Sequence, residues 1–327
     1  MALSTLVKPA LNAIAGRPLI AVVEITLRCN SACRYCNLEL NKGHYEMTRE
    51  EIQRVFSHLY EEGLRFLLIQ GGEPMLRRDL VDILTDLKAI GYSLTLVTNG
   101  TCFTPAKVEA LQNLGVQISI SLDSLERDRY AHIRGRDQLP AVLKGIELLR
   151  NYPHPKYLTC VVSQQNLGEV EDVVAFAGDR GFVPVVGAYH WDISRYGKVD
   201  EDLQYKTPDI LALFERLLHS PHIPDGYYRH YIKENIQWLQ GRGLPPCDAG
   251  RYGIAIDCAG RVAPCLALPK TDSLLEKPLP TLLAQLDHDE IQRCSAASTC
   301  NLLCSRVVGT HLRHPLLALK TYQAMQG

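Results

Sequence analysis

Glu24-Ile-Thr-Leu-Arg-Cys29-Asn-Ser-Ala-Cys33-Arg-Tyr-Cys36 is the stretch on which the reading of this 327-residue chain turns. The run leading into it, Leu19–Thr26, is apolar and rich in β-branched residues, the signature of a buried strand. The three cysteines therefore occupy the loop that leaves this strand. Separated by three and then two residues, three thiolates can bind three corners of a [4Fe–4S] cube. The fourth iron is then left without a protein ligand, and an open site on a redox cluster can bind and reduce a small molecule. Zinc is the rival occupant, although tetrahedral zinc sites usually combine paired C-x-x-C units with a fourth ligand.

Working outward, short β-branched runs alternate with helical patterns from about Arg17 to Ala188. Strands are expected at Leu19–Thr26, Phe66–Ile69, Ser93–Val97, Val116–Ser121, Tyr157–Val162 and Val183–Gly187. Helices are expected near Arg49–Glu61, Asp79–Ile90, Pro105–Asn113, Gln138–Arg150 and Gly168–Asp179. Thr48 ahead of Arg49-Glu50-Glu51 and Thr104 ahead of Pro105 are helix-start signals. Such alternation implies an α/β fold with a parallel sheet covered by helices. A full eight-stranded barrel takes about 250 residues, so a partial (β/α)6 TIM-like barrel fits this span better. Chemistry in these sheets sits at the C-terminal ends of strands. Gly71–Pro74, Thr98–Asn99 and Asp123 fall at those ends, as the cysteine loop does.

The expected organisation is an N-terminal extension over 1–17, the barrel over 18–200, a helical bridge over 201–246 and a small cysteine-rich domain over 247–327. Eleven of the 23 Phe, Trp and Tyr residues fall between Phe182 and Tyr252. They suit either a bridge packed between two units or the wall of a pocket for an apolar substrate. From Cys247 onward the chain is dense in Cys, Gly and Pro, as in a domain held by metal rather than by a large core.

Thirty-five basic residues nearly cancel 36 acidic ones, with no long run of one sign. That balance disfavours nucleic acid or an anionic membrane as a partner. The stretch Ala2–Gly16 lacks the compact apolar block of a signal peptide, and no segment reads as a membrane span. The expectation is a cytoplasmic protein in which disulfides are rare, so eleven cysteines call for metal or cluster ligation.

C-x3-C-x-aromatic-C at the end of a first barrel strand resembles the signature of the radical S-adenosylmethionine (SAM) superfamily. The resemblance spans Leu19 to Gly187. It implies that Cys29, Cys33 and Cys36 hold a [4Fe–4S] cluster whose open iron chelates SAM, with Tyr35 beside it. Gly71-Gly72-Glu73-Pro74 looks like the family motif that contacts the SAM amino group, with Glu73 at the matching position. Thr98 and Asn99, then Ser121 and Asp123, look like the polar strand ends that hold the ribose. Arg134 matches an arginine lying near SAM. Taken alone, each of these is also compatible with an ordinary turn or a surface ion pair.

Cys247, Gly260 and Cys265 read C-x12-G-x4-C, with a hairpin expected from Ile254–Asp257 through Ala259-Gly260, and Cys294-x5-Cys300-x3-Cys304 follows. This is similar to the SPASM or twitch domains that carry auxiliary [4Fe–4S] clusters. The seven-cysteine SPASM pattern is incomplete, because Ile291 fills one ligand place. The resemblance implies at least one auxiliary cluster, on Cys247, Cys265 and Cys304 with Cys300 or Cys294 as the fourth ligand. A zinc ribbon is the alternative. Cys258, at the hairpin turn, is either an inert turn thiol, a further ligand or a hydrogen-atom donor to a substrate radical. Cys102 and Cys160 read as core.

The resemblance implies an enzyme that cleaves SAM reductively and abstracts hydrogen from a substrate C–H bond, fed by a donor such as flavodoxin or ferredoxin. A ribosomally made peptide is the first expectation for the substrate, and a sugar, aminoglycoside or nucleotide the second. With the barrel starting near Leu19, a peptide would need a separate leader-recognition protein or a self-sufficient core. A zinc-bearing binding protein is the non-enzyme alternative.

Overall fold

The computed structural model describes residues 4–37, 45–191 and 198–324. An N-terminal helix, α1 (Ser4–Ala15), leads into β1 (Ile20–Thr26), and then α2 (Arg49–Glu61), β2 (Phe66–Gly71), α3 (Leu80–Ile90), β3 (Ser93–Thr98), α4 (Pro105–Asn113) and β4 (Gln117–Ser121) alternate. Two helices follow, α5 (Arg127–Arg134) and α6 (Leu139–Leu148), before β5 (Lys156–Val162), α7 (Val170–Gly178) and β6 (Val183–Ala188). All six expected strands are present within a residue or two of their expected ends.

Local chemistry explains these boundaries. Thr48 and Glu51 close a capping box at the start of α2, with Glu51 N–H donating to Thr48 Oγ1 at 3.2 Å and Thr48 N–H to Glu51 Oε2 at 2.8 Å. One face of α2 then buries Ile52, Val55, Phe56 and Leu59 against the sheet, each worth about 1.5–3 kcal/mol relative to exposure. Asn12 fastens α1 to the rest, its amide donating to the carbonyls of Pro18 at 3.1 Å and Glu62 at 2.9 Å.

After β6 come α8 (Thr207–Leu217) and α9 (Tyr227–Leu239), the expected bridge. Its aromatics mostly serve packing. Tyr228 meets Tyr157 at 5.8 Å, Tyr227 stacks on His311 at 4.9 Å, and Trp238 stacks on His190 at 4.5 Å. Tyr196 lies outside the described residues.

The cysteine-rich segment adds β7 (Gly253–Ile256), β8 (Val262–Ala263), α10 (Leu279–Ala284), α11 (His288–Ala297), α12 (Val307–Arg313) and α13 (Pro315–Ala324). The hairpin forms where expected, but it does not stand apart. β7 pairs in parallel with β1, Ile20 opposite Gly253 through Val23 opposite Ile256. One open eight-stranded sheet results, in the order β6-β5-β4-β3-β2-β1-β7-β8, parallel except for β8. The main core lies between this sheet and its helices. A second apolar cluster of Val22, Ala255, Ala263 and Leu266, with Leu68 and Cys304 against it, occupies the other face of the sheet. None of the described helices is long and apolar enough to cross a membrane.

Candidate active site

The cysteine loop is held from two sides by backbone. On one side, the N–H groups of Gly72 and Glu73 donate to the carbonyls of Thr26 and Arg28, both at 2.8 Å. The contact is too close for side chains. A Cβ on Gly71 would lie 2.0 Å from Thr26 O, and one on Gly72 would lie 2.2 Å from Arg28 O. The two glycines thus admit the chain's own cysteine loop as well as bordering the cleft. On the other side, Ala32 N–H donates to Arg134 O at 3.1 Å and Arg34 N–H to Ile133 O at 3.0 Å. Gly135 makes this possible: its φ is +70°, and a Cβ there would lie 2.0 Å from Ala32 O.

Side chains complete the cradle. Asn99 donates to Asn30 Oδ1 at 2.7 Å and to Ser31 Oγ at 3.1 Å, while Ser31 donates to Gln138 Oε1 at 2.8 Å. Glu73 is fully buried and does not reach the cleft. Its carboxylate accepts from Met75 N–H at 3.0 Å, Thr98 Oγ1 at 2.7 Å and Asn99 N–H at 2.7 Å. Burial raises its pKa, and those donors partly offset the shift. Rather than facing the cleft, the Glu73 carboxylate anchors the β2 and β3 ends, and Pro74 starts a short 3-10 turn.

Asp123 is likewise buried. It accepts from Tyr35 Oη at 2.8 Å and Val161 N–H at 2.8 Å, and its Oδ2 lies 2.7 Å from Arg134 Nε. That ion pair is close but not aligned as a hydrogen bond, and Arg134 Nε and Nη2 have no hydrogen-bond partner among the described residues. The remaining nitrogen, Nη1, lies 3.8 Å from Cys33 Sγ. Burial opposes the Arg134 charge, yet Asp123, Tyr35 and Cys33 hold its pKa well above the usual value.

These elements enclose a cavity of about 310 Å³. Cys29, Cys33 and Cys36 line one part of it, and Tyr35, Gly71, Gly72, Thr98, Asn99, Ser121 and Arg134 line its walls. Of the predicted cofactor contacts, Glu73, Pro74 and Asp123 lie behind this surface. Leu266, Leu302 and Cys304 of the cysteine-rich segment also border the cavity, as do Tyr189 and His190. Nothing local in the sequence marks Leu266, Leu302 or His190 for this cleft, because only tertiary folding brings them to it. His190 is fixed by backbone on both nitrogens, Nδ1 at 2.7 Å from Ala188 O and Nε2 at 3.0 Å from Asn301 N.

The other cysteines divide into four groups. Cys247, Cys265, Cys294 and Cys300 line a separate cavity of about 200 Å³. Cys304 faces the main cleft. Burial pushes the thiols of Cys265 and Cys300 up to about 12 and that of Cys304 up to about 11. Cys258 is elsewhere. It packs among Val23, Ile25, Met47 and Phe56, its thiol raised by burial to about 11. It is not an exposed turn thiol, and the structure does not bring it to the cleft. Cys160 is buried, as expected of core, and Cys102 is half-buried.

None of the eleven cysteines is in a disulfide. Among the described residues, no three His, Cys, Asp or Glu side chains converge on a single metal ion. A cubane does not require that convergence, since each thiolate meets a different iron, whereas tetrahedral zinc does. The three thiols of the first loop, open to a cleft that has the buried Arg134 charge in its wall, suit a cluster.

The family model described as the radical SAM superfamily matches residues 23–177. A probable GTP 3′,8-cyclase of Sulfurisphaera tokodaii is 31% identical over 251 residues, covering 75% of this chain and 80% of that protein. The PqqA peptide cyclase of Rhizobium meliloti is 28% identical over 275 residues, covering 79% and 70%. The chain spans about half the length, 54%, of the probable GTP 3′,8-cyclases of Pyrococcus abyssi and Pyrococcus horikoshii. Among solved structures, Streptococcus suis SuiB bound to its precursor peptide SuiA superposes with a TM-score of 0.69 at 17% identity, covering 89% of this chain and 70% of SuiB. That likeness establishes the partial-barrel architecture. The chain belongs to the radical SAM superfamily and is an enzyme.

Proposed function

We propose that Cys29, Cys33 and Cys36 carry the catalytic [4Fe–4S] cluster and that the enzyme modifies a peptide. When bound, reduced cluster and SAM together supply a 5′-deoxyadenosyl radical that takes hydrogen from a substrate C–H bond. The chain's own residues hold and shield these groups. Gly71 and Gly72 let the β2 end close on the loop, Thr98, Asn99 and Ser121 offer polar contacts, and Arg134 brings its positive charge to the same wall. Glu73 and Asp123 act from behind, by fixing those groups.

The observation that carries the substrate class is the charge of the cleft. Arg134 is its sole arginine or lysine among the described lining residues, and it faces Asp123 at 2.7 Å. A nucleoside triphosphate needs several cations or a metal to balance its charge. Leu266, Leu302, Tyr35 and Tyr189 suit an uncharged side chain instead. The likeness to a peptide cyclase agrees with this reading. A small metabolite such as a sugar, aminoglycoside or nucleotide is the second reading, favoured by the GTP cyclase relatives.

Within this proposal, residues 18–200 form the SAM barrel, 201–246 the bridge and 247–327 the auxiliary-cluster unit, although its hairpin extends the barrel's sheet. Cys247, Cys265 and Cys304, with Cys300 or Cys294, ligate one auxiliary cluster. The electron donor is of flavodoxin or ferredoxin type. The test is anaerobic incubation of reconstituted enzyme with SAM, dithionite and candidate peptides, read by mass spectrometry. It should yield 5′-deoxyadenosine and a mass change in a peptide. Continued SAM cleavage after joint replacement of Cys29, Cys33 and Cys36 by Ala would refute the cluster assignment.

A further inference from the structure

Arg134 reaches the cysteine loop in two ways at once. Its carbonyl accepts the Ala32 N–H at 3.1 Å, and its Nη1 lies 3.8 Å from Cys33 Sγ. The side chain is 6% exposed, and its guanidinium stands 5.5 Å over the Tyr35 ring. Asp123, with no exposure at all, lies 2.7 Å behind it. Tyr35 and Val161 hold that carboxylate by hydrogen bonds, both at 2.8 Å. Thus a buried positive group touches one cysteine of the loop, and a buried negative group stands directly behind.

We propose that Arg134 and Asp123 are an opposed pair of charges that sets how readily the cluster on Cys29, Cys33 and Cys36 is reduced, with Arg134 acting through the Cys33 sulfur. The inference rests on the cluster reading given above. Reduction adds one negative charge to a centre already surrounded by thiolates. A cation donating toward a ligating sulfur favours that added charge, and hydrogen bonds to the sulfurs are a recognised control on cluster potentials. Burial strengthens the effect because little water screens it. Asp123 opposes it, since its carboxylate disfavours further negative charge nearby. Both are positioning residues: neither is offered as a cluster ligand, and each acts through its charge.

Opposite charges make a test that mere loosening of the loop would not satisfy. The parent is the full-length chain with Cys247 and Cys265 replaced by Ala, so that the signal followed belongs to the first loop. Its reduced cluster is titrated by electron paramagnetic resonance without SAM, alongside Arg134→Gln, Arg134→Lys and Asp123→Asn. Arg134→Gln should lower the reduced-to-oxidised ratio at fixed potential about tenfold, which is about 59 mV for one electron. Arg134→Lys keeps the charge and should shift less in the same direction. Asp123→Asn should shift the ratio the opposite way. Shifts of the same sign in Arg134→Gln and Asp123→Asn, or no shift in either, overturn the proposal. If Arg134→Gln fails to hold iron, Arg134→Lys and Asp123→Asn still must move apart, and a common direction refutes it. A parent without about four irons per chain overturns the cluster reading itself, and this inference falls with it.

Discussion

Replacing Gly135 by Ala isolates one requirement of the active-site loop. At φ +70° any L-residue is strained, by roughly 1–2 kcal/mol. Here a steric term adds to it, because the new Cβ would lie 2.0 Å from Ala32 O, a backbone atom. Relief requires the Ala32 carbonyl to move, which threatens the Ala32–Arg134 and Arg34–Ile133 hydrogen bonds at 3.1 and 3.0 Å. Each is worth about 0.5–1.5 kcal/mol. The expected total is about 2–5 kcal/mol, or else a displaced loop. Gly181 supplies the control: its φ is +69°, but the nearest atom to a Cβ there is 3.7 Å away, on a lysine side chain. Gly181→Ala should cost only about 1–2 kcal/mol. Denaturant unfolding of both apo variants, with iron counts after reconstitution, separates strain from collision. Gly135→Ala should bind about four fewer irons, while Gly181→Ala should load fully. Equal stability and equal iron in the two variants would show that the α5 terminus does not hold the loop.

Glu73→Gln places an amide N–H against one of three donors and should cost about 1–3 kcal/mol in thermal or denaturant unfolding, with SAM affinity, read by calorimetry, falling with it. Glu169 accepts from Ser124, Leu125 N–H, Glu126 N–H and Arg129, at 2.6–2.9 Å. Although burial opposes ionisation, these partners hold its pKa below the usual value. The folded state therefore binds fewer protons, and the stabilisation is present above the unfolded pKa of about 4.3 and lost as pH falls through the lower folded value. Urea unfolding of Glu169→Gln should show a deficit at pH 7 that narrows below about pH 4. The Cys265, Cys300 and Cys304 thiols, raised to about 11–12, must lose protons to bind metal, so affinity for ferrous ion at the C-terminal site should rise about tenfold per bound thiol per pH unit near neutrality. Cys258→Ala should lower stability by about 1 kcal/mol through a small void, yet leave SAM cleavage unchanged.

The first loop was legible because its information is local. Cys29, Cys33 and Cys36 lie within eight residues, and strands ending at Thr26, Gly71 and Thr98 are marked by composition and turn chemistry. α5 was missed because its sequence, Arg127-Asp-Arg-Tyr-Ala-His-Ile-Arg134, buries only Tyr130, Ile133 and Arg134. Eight mostly charged residues give little periodicity to read. Glu73 sits in a recognisable local motif, but its orientation depends on Thr98 and Asn99, two dozen residues away. Cys258 was placed by its turn position, and the pairing of β7 with β1 then carried it beneath α2. No local pattern encodes that pairing across more than two hundred residues.

That same pairing explains why the cysteine-rich segment belongs to the active site. β1 ends in the first cysteine loop, and its neighbour β7 leads through β8 into Cys265 and Leu266. Leu266 then packs with Val22 of β1 and Ala255 of β7, while also bordering the cleft. From the opposite side Leu302 and Cys304 approach, within the turn whose Asn301 backbone is bonded to His190. A group bound by Cys265, Cys300 and Cys304 would therefore fix three short loops that otherwise have little core to order them. On the proposed ligand assignment, the wall opposite the first cysteine loop would depend on that second centre for its shape, whatever electrons the centre also carries. Loss of auxiliary metal should consequently weaken peptide binding before it affects cleavage of SAM alone, a separation visible by comparing peptide affinity with uncoupled 5′-deoxyadenosine release in Cys247→Ala. Equal peptide affinity in that variant and the parent would assign the auxiliary centre to electron transfer alone.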